Sequence, residues 1–130
     1  MAEARAKVFE YAVALAANGE ASIPGGESLR PPESWTADHL LLAALLRCSI
    51  DSLSHHARRA GSATRASGFA SGRITKRADG RYAFVEIECT IDATLTPAVA
   101  GLEELLAKAE RDCFVGASLT VKPRYEWRVR

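Results

Sequence analysis

The period with which apolar and polar positions alternate changes several times along the chain, and each change marks an element. Between Lys7 and Ile23 the residues Phe9, Tyr11, Val13 and Leu15 recur at every second position, with Val8 and Ala12 blurring the pattern. A period of two sends successive side chains to opposite faces of a strand. Asn18-Gly19 follows, a pair that tolerates the backbone of a tight turn, so the segment predicts a strand and a hairpin that returns through Glu20 to Ile23. Pro24-Gly25-Gly26 and Arg30-Pro31-Pro32 interrupt regular structure and predict an irregular connection.

From Thr36 the period becomes helical. Thr36 is a candidate cap, and Asp38 falls in the first turn, where a carboxylate meets unpaired backbone amides. The helix is expected to run to about Arg59 and to stop at Gly61. From Leu40 to Leu46 it is apolar on every side, which a surface helix would not be. This stretch therefore predicts a central helix covered by sheet or by a partner subunit. Between Thr64 and Asp92 the chain turns extended, with a strand through Arg73, Ile74 and Thr75 and a turn at Asp79-Gly80. Beyond the turn Phe84, Glu86 and Glu88 alternate with an inward set of Val85, Ile87, Cys89 and Ile91. Thr96-Pro97 reads as an N-cap with proline at the first helical position, where a missing amide hydrogen costs nothing. The helix it predicts carries Val99, Leu102, Leu106, Ala109 and Cys113 on one face. Gly116 opens a last segment in which Leu119, Val121, Tyr125, Trp127 and Val129 form a closing strand interrupted by Pro123. The expected architecture is a single α+β domain over residues 1–130.

Charge narrows the partners. The chain has 17 basic and 16 acidic residues, a balance that asks for neither nucleic acid nor an acidic membrane. Arg124, Arg128 and Arg130 make the C-terminal segment basic, and solvent-facing arginines on a strand account for them. The run Leu40 to Leu46 is far short of the roughly 20 residues that span a bilayer. Residues 1–10 match neither a secretory leader nor an anchor. Three cysteines without an export signal predict free thiols and a cytoplasmic location.

Those thiols are the leading candidates for chemistry. Cys48 and Cys113 each close an apolar helical stripe, and neither has a nearby Cys or His at a zinc-site spacing. Periodicity alone reads each as a small buried hydrophobe, and Cys89, alternating with Val85 and Ile87, fits that description better still. His55 and His56 lie near a helix end, where histidines are ordinary. Asp38 precedes Cys48 by ten residues, about 15 Å along a straight helix.

Thr36-Ala37-Asp38-His39-Leu40-Leu41-Leu42-Ala43-Ala44-Leu45-Leu46-Arg47-Cys48 resembles the acid, apolar run, Ala-Ala and Cys helix of the OsmC/Ohr family, the osmotically induced and organic-hydroperoxide-resistance proteins. Ala109-Glu110-Arg111-Asp112-Cys113-Phe114-Val115-Gly116-Ala117-Ser118-Leu119 resembles its second signature. The two signatures, the hairpin between them and the final strand match in order, so the resemblance covers nearly the whole chain. It implies an intertwined homodimer, with two long central helices packed against antiparallel sheets and active sites at the subunit interface. It also implies a thiol peroxidase that uses no cofactor. Cys48 would be the thiolate that attacks an organic hydroperoxide, Cys113 would resolve the sulfenic acid to a disulfide, and a dithiol or lipoyl-type reductant would reset the pair. The family's acid matches Asp38. Its arginine, which falls just beyond the first strand, meets Asn18-Gly19-Glu20 in this chain, leaving Arg30 as the candidate substitute. Phe114 stands where proline commonly follows the second cysteine. A second function remains open on the same scaffold, that of a binding protein for a hydrophobic small molecule.

Overall fold

A computed structural model describes residues 6–130. The reading of the N-terminus as neither leader nor anchor extends to Met1–Arg5, which lie outside the described residues. The chain divides into two compact units, one ending at Thr36 and the other running from Ala37 to Arg130.

In the first unit the Asn18-Gly19 turn is present, with Gly19 at a φ of 89°, in the left-handed region that glycine enters without strain. It joins β1 (Ala14–Leu15) to β2 (Ala21–Ser22), and β3 (Ser28–Leu29) completes a small antiparallel sheet. The strand expected from Lys7 onward is thus confined to Ala14–Leu15 among the described residues. Period-two patterning is necessary for a half-buried strand, but within this chain Tyr11, Val13 and Leu15 are each at least 70% exposed.

The second unit is built on α1 (Ala37–Arg59), which begins after Thr36 and ends short of Gly61, as the capping signals predict. A long hairpin follows: β4 (Ala63–Lys76) and β5 (Tyr82–Thr96), antiparallel and turned at Asp79-Gly80. The Asp79 carboxylate accepts the Arg81 amide hydrogen and pairs with Arg77, which lowers its pKa and fixes the turn. The other side of β5 is taken by β6 (Arg124–Val129), which starts directly after Pro123. β6 runs parallel to β5, so this sheet is mixed where purely antiparallel pairing was expected. The helical segments between β5 and β6 return the chain to the end of the sheet from which β5 started, and that return imposes the parallel sense.

Two further expectations need correction. Thr96-Pro97 does not open a helix. Thr96 is the last residue of β5, paired opposite Ala63, and the Pro97 carbonyl accepts the Ser62 hydroxyl at 2.7 Å. The helix α2 (Leu102–Arg111) starts after Gly101, whose φ of 72° suits glycine, and it is a ten-residue helix rather than a long one. Phe84 does not share the outer face with Glu86 and Glu88 either. Opposite Arg73 and Ile74 the register passes from Glu86 to Phe84. The extra residue Val85 is a bulge that resets the alternation and sends Phe84 inward. Gly72 makes room for it, since a Cβ there would lie 2.5 Å from the Phe84 ring.

The helices α1 and α2 cover one face of the mixed sheet. Leu53 and Ala57 of α1 meet Ala93 and Leu95 of β5 and Leu105 and Ala109 of α2 in one cluster, with Trp127 and Val129 packed against it. A second cluster gathers Leu45, Ile87, Cys89 and Cys113. On the outer face Arg124 pairs with Glu88 and Arg73 with Glu86, as solvated strand charges do.

Candidate functional site

Cys48 and Ser49 are neighbours on α1, about 100° apart around the helix axis, so the thiol sits at the margin of the packed face and the hydroxyl beneath it. Ser49 is fully buried and Cys48 is half-buried. After α2 the chain passes through Asp112 and places Cys113, itself fully buried, at the start of the short helix α3 (Phe114–Ala117). Gly116, expected to open the last segment, instead belongs to this turn.

That turn holds both sulfurs. The Val115 amide donates to Cys48 Sγ at 3.5 Å and the Gly116 amide donates to Cys113 Sγ at 3.4 Å. Two consecutive peptide N–H groups thus fix two thiols that are 65 residues apart in the sequence. The two cysteines also act on each other, as Cys113 raises the Cys48 pKa by hydrogen bonding and by charge. Burial is the largest influence on Cys48 and pushes its pKa up, while the Val115 and Phe114 amides pull it down. None of these leading influences is a cation.

Two further residues, Ser49 and Tyr125, complete this site and are not among the sequence candidates. Ser49 Oγ donates to the Leu45 carbonyl at 2.8 Å, lies 2.9 Å from the Tyr125 hydroxyl, and lies 3.5 Å from Cys113 Sγ. Tyr125 comes from β6 and stacks on Trp127 with ring centres 5.4 Å apart. A signal for Ser49 does exist, since it lies on the buried stripe Leu45, Ser49, Ser52, Leu53, Ala57, and a polar group on such a stripe requires a partner. Ser52 finds its own in the Ala109 carbonyl at 2.8 Å, tying α1 to α2 one turn from the thiols.

The remaining sequence candidates are placed as follows. Asp38 is exposed in the first turn of α1, at the far end of the apolar run from Cys48. Arg30 is exposed and directly follows β3 in the first unit. Cys89 is buried on β5, and burial together with the charge of Cys113 pushes its pKa up to about 11, which keeps it a thiol at neutral pH. Among the described residues no group of His, Cys, Asp and Glu could hold a metal ion, and no helix is long and apolar enough to cross a membrane.

Next to Cys113, Asp112 pairs with Arg111 at 2.9 Å and with His56 at 2.7 Å. Arg111 first, and His56 second among the favourable partners, holds its carboxyl down at about 2. A depressed carboxylate pKa contributes stability that is present above the unfolded value of about 3.9 and is lost as pH falls through the folded value. Asp112→Asn should therefore lower the urea midpoint at pH 6 and lower it much less near pH 2, where about half of the carboxylate is protonated. The carboxylate is partly exposed, so the effect is small; an equal deficit at both pH values would remove ionisation as its cause.

Two helices on one face of a mixed sheet, with two thiols held by a single turn, form an OsmC-like arrangement. The chain belongs to the family described as OsmC-like protein, whose sequence profile matches residues 30–128. Among solved structures, an OsmC-like protein from Mycoplasma pneumoniae is similar with a TM-score of 0.70 and 14% identity, over 95% of this chain and 97% of that one. A hypothetical protein from Aquifex aeolicus has a TM-score of 0.69 and 19% identity, over 96% and 98%. The organic hydroperoxide resistance protein OhrB of Bacillus subtilis has a TM-score of 0.59 and 15% identity, over 94% and 98%. No curated protein matches the chain in sequence.

Proposed function

We propose that this protein is a thiol-dependent peroxidase that reduces organic hydroperoxides to alcohols. The observation that carries the reading is the pair of sulfurs held by the Val115 and Gly116 amides of one turn. Cys48, the more accessible of the two, is the attacking thiol. Its thiolate takes the distal peroxide oxygen, the alkoxide leaves and is protonated to the alcohol, and Cys48 becomes a sulfenic acid. Cys113 closes a disulfide with it, water leaves, and an external dithiol or lipoyl-type thiol returns both cysteines to the reduced state. Cys89, buried and held as a thiol, takes no part.

The working unit is a single OsmC-like domain over residues 1–130, functioning in the cytoplasm as a homodimer. Support for the dimer comes from the large apolar side chains exposed within one chain, among them Tyr11 at 85%, Val8 at 79% and Leu15 at 75%. A second copy would cover such surface and complete the helix stripe from Leu40. In that assembly Asp38 and Arg30 are the proposed acid and cation for the Cys48 thiol. Sedimentation at micromolar concentration should give about twice the 14.0 kDa chain mass; a persistent monomer would contradict the assembly.

The raised Cys48 pKa favours a second reading, a binding protein for a hydrophobic small molecule with an unused thiol. Stopped-flow consumption of cumene hydroperoxide with a lipoyl dithiol separates the two. The peroxidase reading expects turnover that saturates with reductant, whereas consumption no faster than the dithiol alone would leave the binding reading standing.

A further inference from the structure

We propose that Ser49 and Tyr125 form a donor chain that positions Cys113 for disulfide closure, an inference that rests on reading Cys113 as the thiol that resolves Cys48.

The chain has a defined direction. A backbone carbonyl can only accept, so the single Ser49 proton goes to Leu45 when Cys113 is neutral. Ser49 Oγ then has its lone pairs free for the Tyr125 hydroxyl at 2.9 Å and for the Cys113 S–H at 3.5 Å. Tyr125 remains a donor throughout, because burial raises its phenol well above the usual range. When Cys113 gives up its proton, the Ser49 hydroxyl turns from the Leu45 carbonyl to the thiolate. Tyr125 continues to donate into Ser49 Oγ, which strengthens the new hydrogen bond. With the Gly116 amide, the thiolate then has two donors in a buried cluster.

The Cys113 thiolate attacks the sulfenic sulfur of Cys48, the S–S bond forms and the S–OH bond breaks. The departing hydroxide takes up the proton released by Cys113, so the product besides the disulfide is water. Cys113 sulfur is oxidised by one unit and the Cys48 sulfur is reduced by one. Neither Ser49 nor Tyr125 changes its proton count. They are positioning residues, and the titratable groups facing Cys113 are Cys48 from α1, Cys89 from β5 and Tyr125 from β6.

The test is the rate of closure as a function of pH in wild type, Ser49→Ala, Tyr125→Phe and the double variant. Cys48 is oxidised with one equivalent of cumene hydroperoxide, and the lifetime of its sulfenic acid is read by dimedone trapping and peptide mass spectrometry. Losing a hydrogen bond to a charged group is worth roughly tenfold or more. Closure in Ser49→Ala at neutral pH should slow by about that factor relative to Cys48 oxidation, with the pH profile of closure displaced upward. Tyr125→Phe keeps the stack on Trp127, should slow closure less, and should have a smaller effect in the Ser49→Ala background than in the wild type. Closure at the wild-type rate and midpoint in both single variants would overturn the proposal. Diamide drives the same disulfide without peroxide, so a protein that ignores peroxide yet closes with diamide still reports on Ser49 and Tyr125. In that case a loss confined to the variants supports the donor chain while the peroxidase reading fails, and equal closure overturns both.

Discussion

Cys48→Ser is expected to lower the rate of dithiol-dependent hydroperoxide consumption by about three orders of magnitude or more, the scale on which removing a nucleophile acts. The expectation follows from accessibility and geometry. Cys113 and Cys89 are both buried to within about 1% of their surface, so neither can meet a hydroperoxide without local opening. Serine preserves the size of the side chain and can still receive the Val115 amide, so the fold and α3 should be retained. An alkoxide is not accessible at neutral pH at this site, and no two-electron reduction of peroxide can begin there. Residual activity at the wild-type level would show that Cys48 is not the attacking thiol.

Leu45→Ala should cost about 2–5 kcal/mol, the range for emptying a buried leucine site. In a chain of this size that corresponds to a melting temperature lower by roughly 7–18 °C. Leu45 is fully buried, packs with Ile87, Cys89 and Cys113, and supplies the carbonyl that receives the Ser49 proton. Its loss leaves a cavity beneath the thiols, so the variant should also scatter the rate of disulfide closure. Leu45→Met, which nearly conserves volume, should cost less than about 1.5 kcal/mol. Equal stability of the two variants would mean that the site collapses around the smaller residue.

Those elements whose sequence signal is local are legible in the sequence alone. The helix from Ala37 to Arg59, the turns at Asn18-Gly19 and Asp79-Gly80, and the inward set Ile87, Cys89 and Ile91 all follow from caps, turn pairs and period. What failed depended on distant partners. Thr96-Pro97 has every local mark of a helix start, but pairing with Ala63 and the bond from Ser62 draw Thr96 into β5. The bulge at Val85 arises from register with β4 and is invisible in β5 alone. The parallel sense of β6 is set by the path of α2 and α3.

The candidate site divides in the same way. Both family signatures point to Cys48 and Cys113, and the structure sets both against one turn. Ser49 and Tyr125 belong to different elements and meet only in the folded chain, so no single-segment pattern could join them. Asp38 falls where the resemblance puts the family's acid, whereas Arg30 is only a candidate substitute for its arginine, and both are exposed.

Peptide mapping after one equivalent of cumene hydroperoxide tests the central claim most directly. The account predicts a Cys48–Cys113 disulfide in the non-reduced digest, lost on dithiol treatment, with the Cys89 peptide unlinked and unmodified. A Cys48 that stops at sulfinic acid while Cys113 remains a free thiol, or a digest in which neither cysteine has reacted, would contradict it.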